Sequence, residues 1–255
     1  MDKKIEAVII NWKRPKNVSK IVIALRNQTV PCTITVCDCH PSDEFALSKR
    51  TLSKIDRIYR WTHNLGAFSR YVPLPSFDHQ YTLFIDDDML PGKKCLEYFL
   101  DCTTTIPKFG VLGQLGRIID KDGIYRPRDI TRTEYFIETD FIIRAYFTET
   151  KNLHHLLKFR WHINYFNEEL PEDDLLLCAS LKFYENLSCY LLPFNSDIET
   201  LVNKKELSTE YALSKRNNHI SKRREFVKML IEMGFPTVNS NGVNNNHKFN
   251  NEISK

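Results

Sequence analysis

Three consecutive aspartates, Asp86, Asp87 and Asp88, follow directly on the apolar run 81–85. Such a run reads as a buried strand, so the acids stand at its mouth. In an extended segment residues i and i+2 face one way, which directs Asp86 and Asp88 to a common site. Carboxylate oxygens suit Mg²⁺ or Mn²⁺, and either ion can bridge them to a diphosphate. A solvated acidic turn is the plainer use of the same residues. A second acidic group, Glu172, Asp173 and Asp174, follows Pro171, where helical spacing begins. Acids there complement the helix dipole by about 0.3–1 kcal/mol each. One of them can instead face an acceptor hydroxyl as a general base. A third group is basic: His219, then Lys222, Arg223 and Arg224 at the start of the last amphipathic run. Cations at a helix start oppose its dipole unless an anion such as a diphosphate lies near. An exposed basic helix face accounts for them equally well.

These groups need a scaffold that brings them together. The run 7–10 suits a buried strand, and Pro15 then opens a helix whose apolar face is Val18, Ile21, Val22 and Leu25. Further strands fit 33–37, 55–60 and 81–85. Strands separated by helices predict an α/β fold with a mainly parallel sheet and helices on both faces. Ligands of such sheets bind beyond the C-terminal strand ends. The residues there are Asn11, Arg14, Asp38, Asn64, Gly66 and the aspartate triplet. Arg14 offers planar donors to a base or phosphate. Asp38 can accept from an imide N–H, and Gly66 lets a ligand approach the backbone. The second half is less regular. Strands fit 110–113, 140–144 and 191–194, with helices from Pro171 and over 220–233. Trp161 could stack on a sugar face in an acceptor pocket, and Asp140 could meet sugar hydroxyls.

Composition narrows the classes. The chain has 255 residues, 42% of them hydrophobic and 27% charged, which supports a sizeable core. With 8 glycines it is poorly suited to Gly-rich phosphate loops. A net charge of +4 makes no case for nucleic acid. Seven cysteines without paired C-x-x-C units argue against structural zinc, and reduced thiols in a cytoplasmic setting are the expectation. There is no apolar leader and no transmembrane run.

In order and spacing, residues 5–92 resemble the GT-A-fold nucleotide-sugar glycosyltransferases, close to the family 2-type group. Val8-Ile9-Ile10-Asn11-Trp12-Lys13-Arg14-Pro15 resembles that group's opening strand and Asn-x-x-Arg-Pro turn. Asp38 resembles its base-reading acid, Asn64-Leu65-Gly66 its donor-site element, and Asp86-Asp87-Asp88 its metal-binding Asp-x-Asp motif. The resemblance implies a nucleotide site of Asn11, Arg14, Asp38, Asn64, Gly66, Asp86 and Asp87. It implies Mn²⁺ or Mg²⁺ on Asp86 and Asp88, with His219 completing the shell; phosphate contacts from Lys222, Arg223 and Arg224 are expected from the dipole argument alone. Asp173 takes the place of the family's general base and Glu172 that of an acceptor-binding acid beside Trp161, although Asp174 leaves a one-residue ambiguity. The group's Gln-x-x-Arg-Trp motif is absent, which fits non-processive transfer.

The implied activity is inverting transfer of a sugar from a nucleotide-diphosphate donor, with UDP as the nucleotide, to a carbohydrate or glycoconjugate acceptor. A sugar nucleotidyltransferase and a non-catalytic nucleotide- or carbohydrate-binding domain are the rival classes. One domain is expected over 1–235 and an Asn-rich disordered tail over 236–255. The sequence assigns no oligomeric state.

Overall fold

The structure is a computed structural model that describes residues 4–40, 42–73, 76–126, 130, 133–163, 173–203, 207–208, 210–212, 215 and 217–239. In chain order the elements are β1 (Ile5–Asn11), α1 (Pro15–Arg26), β2 (Cys32–Asp38), α2 (Lys49–Leu52), β3 (Arg57–Arg60), β4 (Tyr81–Ile85), β5 (Leu90–Pro91) and α3 (Cys95–Thr105). There follow β6 (Leu112–Gly113), β7 (Gly116–Arg117), β8 (Ile137–Thr139), β9 (Phe141–Ile142), β10 (Ala145–Glu149), α4 (His154–His162), α5 (Asp173–Glu185), β11 (Cys189–Leu191), β12 (Val202–Asn203) and α6 (His219–Glu232).

Each early element follows from its residues. β1 is buried along its whole length, as a strand covered on both faces must be, hence its continuous apolar run. Pro15 occupies the first turn of α1, where its missing N–H costs nothing, and Val18, Ile21, Val22 and Leu25 form the buried face. The main sheet has the order β3-β2-β1-β4-β10-β6-β11-β8. Strands β3, β2, β1 and β4 run parallel.

Strand alternation divides the core between the two faces. Ala7, Ile9, Leu83 and Ile85 pack with α1 and α3. Val8, Ile10, Phe84 and Tyr146 pack with α4, α5 and α6. The parity set by Phe84 and Ile85 decides where the acids beyond them point.

The second half departs from expectation in register and direction. The strand expected over 140–144 is shortened to β9, and β10 begins beyond it, just after Arg144, whose φ is 71°. β10 then runs antiparallel between β4 and β6. The late strand lies at Cys189–Leu191 rather than over 191–194. Residues 236–239, assigned to the tail, pack on the domain: Thr237 is buried and Val238 donates its N–H to Asp140 Oδ1 at 2.8 Å. The rest of that segment, 240–255, lies outside the described residues. All seven cysteines are buried and unlinked. Among the described residues no helix is long and apolar enough to cross a membrane.

Phe84 has no exposed surface and lies 4.8 Å from the Tyr71 ring and 5.3 Å from that of Tyr146. Phe84→Ala should therefore cost about 3–5 kcal/mol in equilibrium denaturation. A loss below about 1 kcal/mol would contradict this packing.

Candidate active site

Parallel register places three polar strand ends side by side. Asn11 pairs with Asp38, and Asp38 with Arg60. Asn11 Nδ2 donates to Asp38 Oδ1 at 2.9 Å and to the carbonyl of Phe45 at 3.3 Å. Both donors are thereby used, while Asn11 Oδ1 is buried with no donor. Arg60 Nε stands 3.6 Å from Asp38 Oδ2. Nearby, Asn64 Oδ1 accepts the Gly66 N–H at 2.8 Å. Gly66 has φ 68° and ψ −165°, a conformation essentially confined to glycine. That turn starts the short 3-10 segment Ala67–Tyr71, which carries Arg70 inward.

The acidic triplet is divided between two arginines. Alternation carries Asp86 to the face of Phe84, where Arg70 Nη2 donates to its Oδ1 at 2.9 Å. Asp87 faces the α1 side. There Arg14, at the cap of α1, donates from Nε to Asp87 Oδ2 at 3.0 Å and pairs through Nη2 with Oδ1. The Met89 N–H then bonds the Asp86 carbonyl at 3.0 Å and closes a turn. That turn returns Asp88 to within 3.5 Å of Arg14 Nη1. Extended parity would have joined Asp86 to Asp88, but the turn groups Asp87 with Asp88 instead.

Burial drives the proton affinity of this group. It pushes Asp87 up to about 7, against the pull of Arg14 and with help from the neighbouring carboxylates. Burial also raises Asp86, to about 6, with Arg70 opposing it. Asp86 keeps 33% of its side-chain surface open at the mouth of the site, so solvent tempers its desolvation. At this turn four carboxylates, Asp86, Asp87, Asp88 and Asp173, face two guanidinium groups among the described residues.

Asp173 and Asp174 open α5 and are both buried, but they have different partners. Tyr146 Oη donates to Asp173 Oδ2 at 2.9 Å, Tyr71 Oη reaches the same atom at 3.4 Å, and Arg70 Nε lies 3.3 Å from it. No described residue bonds Asp173 Oδ1. Burial raises the Asp173 pKa, with Arg70 opposing. Asp174 Oδ1 instead accepts from Arg223 Nη2 at 2.6 Å and from the Leu175 N–H at 2.9 Å.

The remaining candidate residues lie as follows. Arg223 is buried and also donates to Tyr125 Oη at 2.9 Å, so Asp174, rather than a diphosphate, compensates its charge. Arg224 is exposed and reaches the Tyr125 carbonyl at 3.4 Å, and Lys222 is half-buried. His219 begins α6, and its ring nitrogens do not share a 4.8 Å cluster with the oxygens of Asp86 and Asp88. Trp161 is 74% exposed near the end of α4. Glu172 lies outside the described residues. Asp140 accepts the N–H groups of Ile119 at 2.6 Å and Val238, which makes it a clamp between loops. Among the described residues one three-ligand cluster forms, Glu6, Asp78 and His79. Arg57 already donates to its Glu6 and Asp78 oxygens, and Thr33 bonds the other ring nitrogen of His79.

Sequence reasoning missed Arg70, Tyr71 and Tyr146. Their nearest signal is Asn64-Leu65-Gly66, whose turn leads directly into Arg70.

The raised acids fix the sign of a pH effect. Between their ordinary value near 4 and about 7, the native state holds protons that the unfolded state has released, so stability falls as pH rises. Thermal denaturation from about pH 5 to about pH 8 should show Asp87→Asn with a shallower fall than the parent. Identical slopes would contradict the assignment.

No family model and no curated protein matches the chain. Solved structures do match. The crystal structure of S. aureus TarS is 16% identical, with 75% of this chain and 37% of that one covered at a TM-score of 0.50. The crystal structure of S. aureus TarS 1–349 in complex with UDP is 18% identical, with 75% and 58% covered at a TM-score of 0.51. This chain thus spans less than two thirds of either neighbour. With its strand order, helices on both faces and acids at the strand ends, the chain has the GT-A fold.

Proposed function

We propose that this chain is a metal-dependent glycosyltransferase that moves a sugar from a UDP-sugar onto an acceptor hydroxyl by a single inverting displacement. One observation carries the reading: the acidic turn after β4 and the carboxylate of Asp173 meet at the two ends of one buried guanidinium, Arg70. The neighbour solved with UDP supports the choice of nucleotide.

The hard oxygen donors of the acidic turn fit Mg²⁺ or Mn²⁺, which Asp88 and Asp86 would hold, although in this structure the turn sets these two on different arginines. Such an ion, when bound, neutralises charge growing on the departing diphosphate. The chain's own groups do the rest. Asn11 Oδ1 and Asp38 present acceptors at the strand ends, suited to the imide N–H of uracil. Gly66 offers an approach to the backbone beside them. Arg14 holds Asp87 and Asp88 against mutual repulsion. Asp173 accepts the acceptor's proton at Oδ1, since the donors around it among the described residues reach Oδ2. Asp174 is committed to Arg223, which favours Asp173 as the base.

Thermal-shift screening of nucleotide sugars with Mn²⁺ identifies the donor, because a ligand at about 100 times its Kd adds about 2.7 kcal/mol of stability. Turnover of that donor then tests the roles. Asp88→Ala should lose Mn²⁺-dependent turnover, while Asp173→Asn should keep UDP affinity and lose about 10²–10⁴-fold in kcat. UDP binding without turnover would mark a binding module instead. A fully active Asp173→Asn would remove the base.

A further inference from the structure

Arg70 has no solvent-facing role: it is 4% exposed, inside the segment Ala67–Tyr71. Its nitrogens are unevenly used. Nη2 donates to Asp86, Nε lies beside Asp173 and also reaches the Ala67 carbonyl at 3.3 Å, and Nη1 is buried without a hydrogen bond. A fold that needed only charge balance at this point would not bury an unmatched arm. The arrangement is explained by the two carboxylates that the other arms join.

Those carboxylates sit on separate elements, the exit of β4 and the first turn of α5. A guanidinium is planar and rigid, so its Nε and Nη2 edges fix both the distance and the angle between them. An ammonium at the same place would hold one carboxylate or the other. Tyr146 closes the arrangement, since its hydroxyl donates to Asp173 Oδ2 and its ring lies 5.5 Å from the guanidinium carbon. Asp173 is thus gripped through one oxygen from two directions.

We propose that Arg70 is a positioning residue for transfer: it locks Asp173 to the acidic turn so that Oδ1 stays aimed at the acceptor hydroxyl. This rests on the reading of Asp173 as the base. Misplacing a reacting group by about 1 Å can cost about 10²-fold, which sets the effect to expect.

The test is a double-mutant cycle on turnover of the UDP-sugar, with UDP affinity measured in parallel by calorimetry. Arg70→Lys should lower kcat about 10²-fold while donor KM and UDP affinity stay within about threefold. In an Asp173→Asn background the same change should add little, because Arg70 acts through Asp173. Losses that multiply in the double variant, or a fall in UDP affinity matching that in kcat, would overturn the proposal. Should Arg70→Lys not fold, Tyr146→Phe keeps Arg70 in place and should lose no more than about tenfold. A loss as large as that of Asp173→Asn would make the tyrosine the holder of the base and overturn the proposal. A parent protein that turns over no nucleotide sugar removes the proposed function itself. Parental turnover with multiplying losses removes only the role of Arg70.

Discussion

Carboxylates crowded at the end of a buried strand repel one another, and the site depends on how that repulsion is contained. Two arginines from different parts of the chain do it. Arg14 arrives with the start of α1 and takes Asp87 and Asp88. Arg70 arrives with the Ala67–Tyr71 segment and takes Asp86 and Asp173. Both guanidinium groups are largely buried, so salt screens these pairs less than it would surface pairs. Burial raises the proton affinities of Asp86 and Asp87 against the pull of these arginines. A centre that destabilises its own charged form is well suited to a cation that arrives with an anionic ligand.

The scaffold has the opposite character. Both faces of β1 and β4 are covered, and the rings of Tyr71, Phe84 and Tyr146 stack below the acidic turn. Two of these rings carry hydroxyls that end on Asp173. Apolar packing and the hydrogen bonds of the site therefore share side chains, so the position of Asp173 is set by the core as much as by its own helix. For the base proposed at Asp173, a carboxylate fixed by the core is what preorganised proton transfer requires.

The first half of this design was legible in the sequence because its signals are local. Continuous apolar runs mark β1 and β4, Pro15 marks the start of α1, and polar residues directly after strands mark the site. The neighbours Asn11 and Asp38 follow from parallel register once both strands are placed. The failures are tertiary. The turn at Asp86–Met89 breaks strand parity, and only the folded backbone shows it. Arg70 lies in a short segment with no periodic pattern to distinguish it from any surface arginine. Arg223 reads as a phosphate ligand until Asp174 and Tyr125 are seen around it. β10 runs antiparallel to β4 and follows Arg144 at positive φ, and no residue type announces either.

The central claim is that the acidic turn and a nucleotide diphosphate share one divalent cation. Electron paramagnetic resonance of Mn²⁺ titrated into the protein with UDP reads this directly. The account predicts a bound ion with coupling to phosphorus, lost in Asp88→Asn and retained in a surface variant such as Lys228→Ala. A spectrum of free aqueous Mn²⁺ in the parent protein, or a bound signal untouched by Asp88→Asn, would contradict it.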